Sequence, residues 1–459
     1  MRPIRYCVLT TLALSAVLAA ASCIAASAED PEGSETVRVT WDPVIEVDSG
    51  NATRGPWRMN ESEWDFIDDP AVAINNKDEV GVAWVDHVKQ DLLFQRYDAE
   101  GEPVFDEPVN VSGSSSIFSW LPRIVMSSPD DDDSPPHIDL LWQEIVFSGG
   151  SHGGEIFFAR SHDGGETFST PINLSRTTAG AGKGRLDARS WHNGSYDLIR
   201  VSGDTLYAAW TEYEGNLWFS RSTDGGESFS EPRQIAGEEG TNPTRGPSLA
   251  QGNDGTIYLA WTVGEDEEAD IRFTRSTDQG DSFEEPRIVH ERSGHADAPK
   301  LAVDSSNVLH IVYGESEGGR SGQYRILYSR ASDESRTFGE PRVISGEFSR
   351  NQDSANFPML RIDGRDRLLI TWETYQNRRG RPTGTSFALS ASGGDSFTDP
   401  QPLPGTGDGE YGFHGSQQGL LMSKLSVNDR GRIAFVNSTY RNNRASHVWL
   451  FRGAIGAGE

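Results

Sequence analysis

Ser222-Thr223-Asp224-Gly225-Gly226-Glu227-Ser228-Phe229, or STDGGESF, has the chemistry of a tight hairpin turn. An Asp carboxylate accepts bonds from the backbone N–H groups of its own turn. The second glycine supplies a backbone angle that a residue with a Cβ resists. The closing Phe leaves the turn and is free to pack into a core. The pattern returns as SHDGGETF at Ser161–Phe168 and as STDQGDSF at Ser276–Phe283. Two worn copies follow, ASDESRTF at Ala331–Phe338 and SASGGDSF at Ser390–Phe397. Recurrence with the same flanking strands marks a repeat protein. Asp163, Asp224 and Asp278 are read as structural residues of these turns.

Outward from each turn lies one unit, found seven times. A first strand often follows a proline: Pro70, Pro122, Pro247, Pro299 and Pro358, with Asp197 and Ser423 at the equivalent points of units three and seven. The second strand ends on an aromatic residue: Trp84, Trp142, Trp210, Trp261, Tyr313, Trp372 and Phe435. The third runs LLFQR, IFFAR, LWFSR, IRFTR, ILYSR, SFALS and VWLFR, and leads into the hairpin in units two to six. Unit one has a variant turn, Tyr97-Asp98-Ala99-Glu100-Gly101. The fourth strand opens with a proline in units one to six, which an outer strand tolerates because an edge needs fewer N–H donors. Unit seven lacks a fourth strand, and Trp41–Val47 (WDPVIEV) has the right form to supply it. The expected architecture is all-β: a seven-bladed β-propeller, residues 37–459, with the N-terminal strand near Val44–Val47 closing the last blade. A closed ring can hold so long a chain as one body.

The hairpin pattern resembles the Asp box, Ser/Thr-x-Asp-x-Gly-x-Thr-Trp/Phe, of the sialidase superfamily, also called the BNR repeat. The resemblance implies that the boxes lie between the third and fourth strands of a blade, on the end away from the substrate pocket. It implies an exo-sialidase-like glycoside hydrolase. Ordinary sialidase propellers have six blades, which makes a six-bladed ring the alternative count. Sialidases set three Arg on the sugar carboxylate, a Tyr–Glu pair as nucleophile and base, and an Asp as acid/base. Their Tyr/Phe-Arg-Ile-Pro motif is missing here. Arg54-Gly55-Pro56 is a poor substitute for it.

Residues 1–28 read as a signal peptide. Arg2 and Arg5 precede an apolar run, Val8–Ala21, too short for a membrane span, and Ala26-Ser27-Ala28 offers a cleavage site. Ala20-Ala21-Ser22-Cys23 also fits a weak lipobox, which would anchor the chain through Cys23. Both readings place the protein outside the cytoplasm, secreted or periplasmic. Both cysteines, Cys7 and Cys23, fall in this segment, so the mature chain would have no disulfide. Residues 29–36 read as a polar linker. A net charge of −28 argues against nucleic acid as a partner. A monomer without cofactor or metal is expected. The Asp130–Asp133 run reads as a solvated tip, with a Ca²⁺ site as the alternative if ligands come from elsewhere.

In such a ring, loops leading into the first strand and loops leaving the second share one face. The longest lead-in loop, Ser175–Ser195, gathers Arg176, Lys183, Arg185, Arg189 and His192 against one acid, Asp187. Arg pairs planar anions with two donors, which points to a carboxylate or sulfate on a sugar; a surface loop paired with nearby acids is the plainer reading. Tyr196 follows at the rim. Arg54 and Arg245 stand in two Thr-Arg-Gly-Pro copies. The candidates are therefore Tyr196, Glu212, Asp86 and His192 for catalysis, and Arg189, Arg245 and Arg54 for an anionic glycan. Arg189, His192 and Tyr196 would equally suit a uronate polysaccharide lyase, which neutralises the acid, takes the C5 proton and protonates the leaving oxygen. A non-catalytic propeller that binds glycans or proteins is the third reading.

Overall fold

The computed structural model describes residues 37–457, apart from 57, 59, 129–133, 149–150, 177–194, 202–203, 212–214, 238–241, 265–267, 292–293, 333–336, 349–352, 377–379 and 408–422. The signal peptide, the lipobox, the linker and the acidic run thus lie outside the described residues, as do Arg189, His192 and Glu212. The described residues contain no helix. They form seven antiparallel sheets in which, apart from the outer edge of the last, chain order is sheet order from the channel outward. The innermost strands are Ile67–Ile74, Ser119–Met126, Tyr196–Arg200, Thr244–Gln251, His295–Val303, Ser354–Ile362 and Leu425–Val427. Neighbouring inner strands touch directly: Leu249 N–H donates to Asp197 Oδ2 (2.8 Å), Leu301 N–H to Ser248 Oγ (3.0 Å) and Ile74 N–H to Ser426 Oγ (3.2 Å). The protein is a seven-bladed β-propeller.

The last blade closes the ring with both ends of the described chain. Its third strand, Ala445–Ala457, carries two N-terminal strands on its outer edge. Val37–Trp41 pairs with Gly453–Ala457, and Ile45–Gly50 pairs with Ser446–Leu450. The closing segment is longer than expected and is interrupted around Pro43, which has no N–H for a ladder. Trp41 then packs on Phe387 of blade six (5.8 Å), and Asp48 accepts the Trp84 indole N–H of blade one (2.8 Å).

The hairpins join blade to blade. In each of five blades the closing aromatic of the turn packs edge-on against the third-strand aromatic of the preceding blade: Phe168 on Phe94, Phe229 on Phe158, Phe283 on Phe219, Phe338 on Phe273, and Phe397 on Tyr328. Ring centroids lie 4.8 to 5.5 Å apart, the favoured edge-to-face range. Two residues after that aromatic stands an arginine, and in blades two, three and five it reaches the next turn. Arg160 donates to Gly225 O (2.7 Å) and pairs with Glu227. Arg221 donates to Gln279 O (2.7 Å) and Asp281 (2.8 Å), and Arg330 to Gly393 O (2.9 Å) and Asp395 (2.6 Å). Arg452 of the last blade reaches Ala99 O in the variant turn of the first, so the same clasp spans the seam. Asp224 is held within its own turn by Ser222 Oγ (2.7 Å), Ser228 N–H (3.0 Å) and Ser228 Oγ (2.5 Å). These bonds, led by that of Ser228, lower its carboxyl to about 2.

The inner strands begin earlier than the sequence reading placed them, three or four residues ahead of the proline. Asp69, Leu121, Gly246, Ala298 and Phe357 each precede that proline with φ between 52° and 60°. A residue before proline is normally extended. The left-handed turn inserts a bulge, seen as a register break in blades one, two, four, five and six. Bulges re-aim side chains. Residues before the bulge (Asp68, Trp120, Arg245, Asp297, Asn356) belong to one mouth of the ring, and residues after it line the channel. Arg245 is accordingly a strand residue and not a loop residue.

Candidate functional site

On the mouth away from the hairpins, blades six, seven and one bring a polar chain together. Glu373 lies near the end of the second strand of blade six, Leu368–Tyr375, and Lys424 stands just before the first strand of blade seven. Both are buried, and Lys424 Nζ donates to Glu373 Oε1 at 2.6 Å. Tyr375, half-buried, donates its hydroxyl to Glu373 Oε2 at 2.6 Å. Burial, then the Glu373 charge, hold the phenol well above its ordinary value, so it keeps its proton. A buried carboxylate and ammonium tolerate each other only with good geometry and further bonds, which this trio supplies.

Asp68 precedes the bulge of blade one. It is buried and accepts the Ser438 hydroxyl of blade seven. Burial raises its carboxyl, while Ser438 and the charges of Arg54 and Lys424 pull the other way. Arg54 is exposed, with its guanidinium over the rings of Trp64 (4.8 Å) and Phe66 (5.7 Å). Arg381 lies over Tyr440 (5.5 Å), which packs on Phe66. An aromatic floor of Trp64, Phe66, His87, Phe118 and Trp120 continues into blade two. His87 is buried in it, and desolvation, aided by the Arg54 charge, lowers its imidazole to about 3.

A second cluster joins blades four and five. Arg245 pairs with Asp297 (3.2 Å), reaches Gly264 O, and lies 3.2 Å from His295 Nε2. His295 Nδ1 is 2.8 Å from the Tyr324 hydroxyl. Burial lowers His295 to about 4 against the pull of Asp297, leaving a neutral imidazole at neutral pH. All four side chains are buried.

Of the residues nominated from sequence, the structure places Arg54 in the first cluster and Arg245 in the second. Asp86 caps the turn that follows it, accepting the N–H groups of Val88 (2.9 Å) and Lys89 (3.2 Å) and pairing with Lys89 Nζ (3.1 Å). Tyr196 is buried between blades, its hydroxyl 2.7 Å from Trp120 O and 2.6 Å from Leu121 O. Asp163, Asp224 and Asp278 sit in their hairpins at the opposite mouth. Sequence reasoning nominated none of Glu373, Tyr375, Asp68 and Lys424. The Glu-x-Tyr spacing on one strand was the available signal. The described residues contain no cluster of three or more His, Cys, Asp or Glu able to hold a metal.

No protein-family model matches the chain, and no curated protein sequence does. Solved structures do share its fold. An ulvan lyase, a polysaccharide lyase, is 12% identical with a TM-score of 0.55, over 88% of this chain and 95% of its own. An α-L-arabinanase from Penicillium chrysogenum is 10% identical (TM-score 0.45, 76% of this chain and 98% of its own). A lectin from Burkholderia pseudomallei is 13% identical (TM-score 0.49, 73% and 84%). At such identity the likeness to the ulvan lyase speaks to fold alone.

Proposed function

We propose that this propeller acts on an anionic glycan as a glycosidase of the sialidase type, at the mouth formed by blades six, seven and one. The observation that carries the reading is the 2.6 Å bond from the Tyr375 hydroxyl to Glu373, itself fixed by Lys424. A nucleophile within hydrogen-bond reach of a base that a third group orients is the arrangement covalent catalysis needs. A neutral phenol also approaches an anionic sugar without charge repulsion. In this reading Tyr375 attacks the anomeric carbon, and Glu373 takes its proton. Asp68, whose carboxyl burial favours in the protonated form, gives a proton to the leaving oxygen. Arg54 and Arg381 hold the sugar's carboxylate. The Asp-box resemblance and the glycan-acting propellers of similar fold support this reading.

A lyase is the second reading, favoured by the Arg245–His295–Tyr324 relay on the same face. Neutral His295 would take the C5 proton, Arg245 would neutralise the uronate, and Tyr324 would protonate the departing C4 oxygen. The polysaccharide lyase of similar fold supports this reading. One experiment separates the two. The protein is incubated with sialosides and with uronate polysaccharides, with free acid and the ultraviolet absorbance of an unsaturated product followed together. Free sugar acid that disappears in Tyr375→Phe supports the hydrolase. Absorbance that disappears in His295→Gln supports the lyase. Neither product from the wild-type protein overturns both.

A further inference from the structure

The ring's central channel opens at the hairpin mouth as a cavity of about 1040 Å³, bounded there by the turn residues Asn76, Ser128, Asp204 and Asp429. That the hairpins share this end is shown by the Gly225 N–H bond to Asp204 O (2.7 Å). Beside Arg200, which pairs with Asp139 (2.6 Å), three cations from three blades line the cavity: Arg123, Lys300 and Arg361. Arg123 and Lys300 are buried and Arg361 half-buried.

None of the three has a carboxylate within ion-pair distance among the described residues. Arg123 donates to its neighbour's carbonyl, Pro122 O (3.2 Å), and lies over the Tyr196 ring (5.3 Å). Arg361 donates to Leu360 O (2.9 Å). Of the acids that line the cavity, Asp204 and Asp429 stand at its mouth, and Asp197 has its oxygens occupied by the backbone N–H groups of Leu198 (3.1 Å) and Leu249 (2.8 Å). A group of buried cations facing open space in a chain of net charge −28 is an arrangement that an anion would stabilise.

We propose that the channel is a second binding site, for an oxyanion group (sulfate, phosphate or carboxylate) held by Arg123, Lys300 and Arg361. The cavity is large enough for such a group borne on a saccharide as well as for the free ion. Burial and the two arginines, opposed by Asp197, lower the Lys300 ammonium to about 8, so affinity should fall as pH rises through that value. The site lies at the mouth opposite Tyr375, and its test reads binding alone. It therefore stands or falls separately from the glycosidase reading.

The test is calorimetric titration of the full chain with sodium sulfate and with a uronate disaccharide, at ionic strength matched by chloride. Binding of either probe, weakened about tenfold or more by Lys300→Met and by Arg361→Met, is expected, since each loses one charge-assisted bond. Binding by both marks a free-oxyanion site, and binding by the disaccharide alone marks a glycan site. Should the variants fail to fold, the wild-type protein answers by peptide mapping. An amine-reactive label applied near pH 8 should modify Lys300, and the bound probe should protect Lys300 while leaving exposed Lys89 unchanged. No binding by either probe, binding unaltered in both variants, or labelling of Lys300 indifferent to both probes would overturn the site.

Discussion

Glu373 faces two demands at once. Lys424 stabilises its charge, and the Tyr375 hydroxyl requires an acceptor. Replacing the carboxylate takes away the charge opposite a buried ammonium, so Glu373→Gln should destabilise the fold as well as silence it. Tyr375→Phe removes only the hydroxyl and is the cleaner probe. It should lower kcat about a hundredfold or more with little change in melting temperature. Asp68→Asn should lower kcat and flatten the acid-requiring side of the pH–rate profile, while Arg54→Ala should raise KM. A second prediction concerns His87, held near 3 by burial and Arg54. The unfolded chain takes up a proton near 6.5 that the folded chain refuses. Stability should therefore decline as pH falls from about 6.5 towards 3, and His87→Phe should reduce the slope measured by denaturation at a series of pH values.

At the scale of the element, the hairpin and the arginine before it act as one part. Gly226 has φ 93°, and a Cβ there would lie 2.7 Å from the Phe158 ring of the preceding blade. Gly226→Ala should therefore cost more than the roughly 1 kcal/mol that backbone freedom alone accounts for. Phe229→Ala should cost about 3 kcal/mol or more, read from chemical denaturation, because it empties the same clasp. Asp224 and Asp278, held near 2 by bonds from Ser228 and Ser282, stabilise the turns at pH values above the ordinary carboxyl range. That contribution should fade as pH falls from about 4 to 2, and Asp224→Asn should shift the acid midpoint upward.

Much of this element was legible. The Asp, the second glycine and the closing Phe each announced a turn, and the Phe-x-Arg ending of the third strand recurred beside it. The arginine's target was not legible, because spacing along one blade does not reveal which carbonyl of the next blade it meets. The bulges were missed although x-Pro recurred at every site, since proline was read as the start of the strand. The same blindness across blades hid the candidate site. Glu373 and Tyr375 share a strand, whereas Lys424 meets Glu373 from another blade and Asp68 bonds to Ser438 across the seam. The fold followed from periodicity within one chain segment, but the site depends on meetings between segments.

For the whole molecule, the seam is where the design is tested. Removing residues 37–50 would strip the outer edge of the last blade and the Asp48 bond to Trp84. The truncated chain should melt in a broad, lowered transition and elute as larger species in size-exclusion chromatography, because an unpaired strand invites another chain. Elution as a sharp monomer with an unchanged melting temperature would contradict this. The seam also sets a timetable for birth. The strands at Val37 and Ile45 emerge early from the ribosome, and their partner, Ala445–Ala457, is made after six blades have been threaded. Until then the nascent polypeptide carries a sticky, solitary ribbon. Sealing it is a long-range encounter of the kind that slows folding. The interval before that encounter is when a chaperone would matter most.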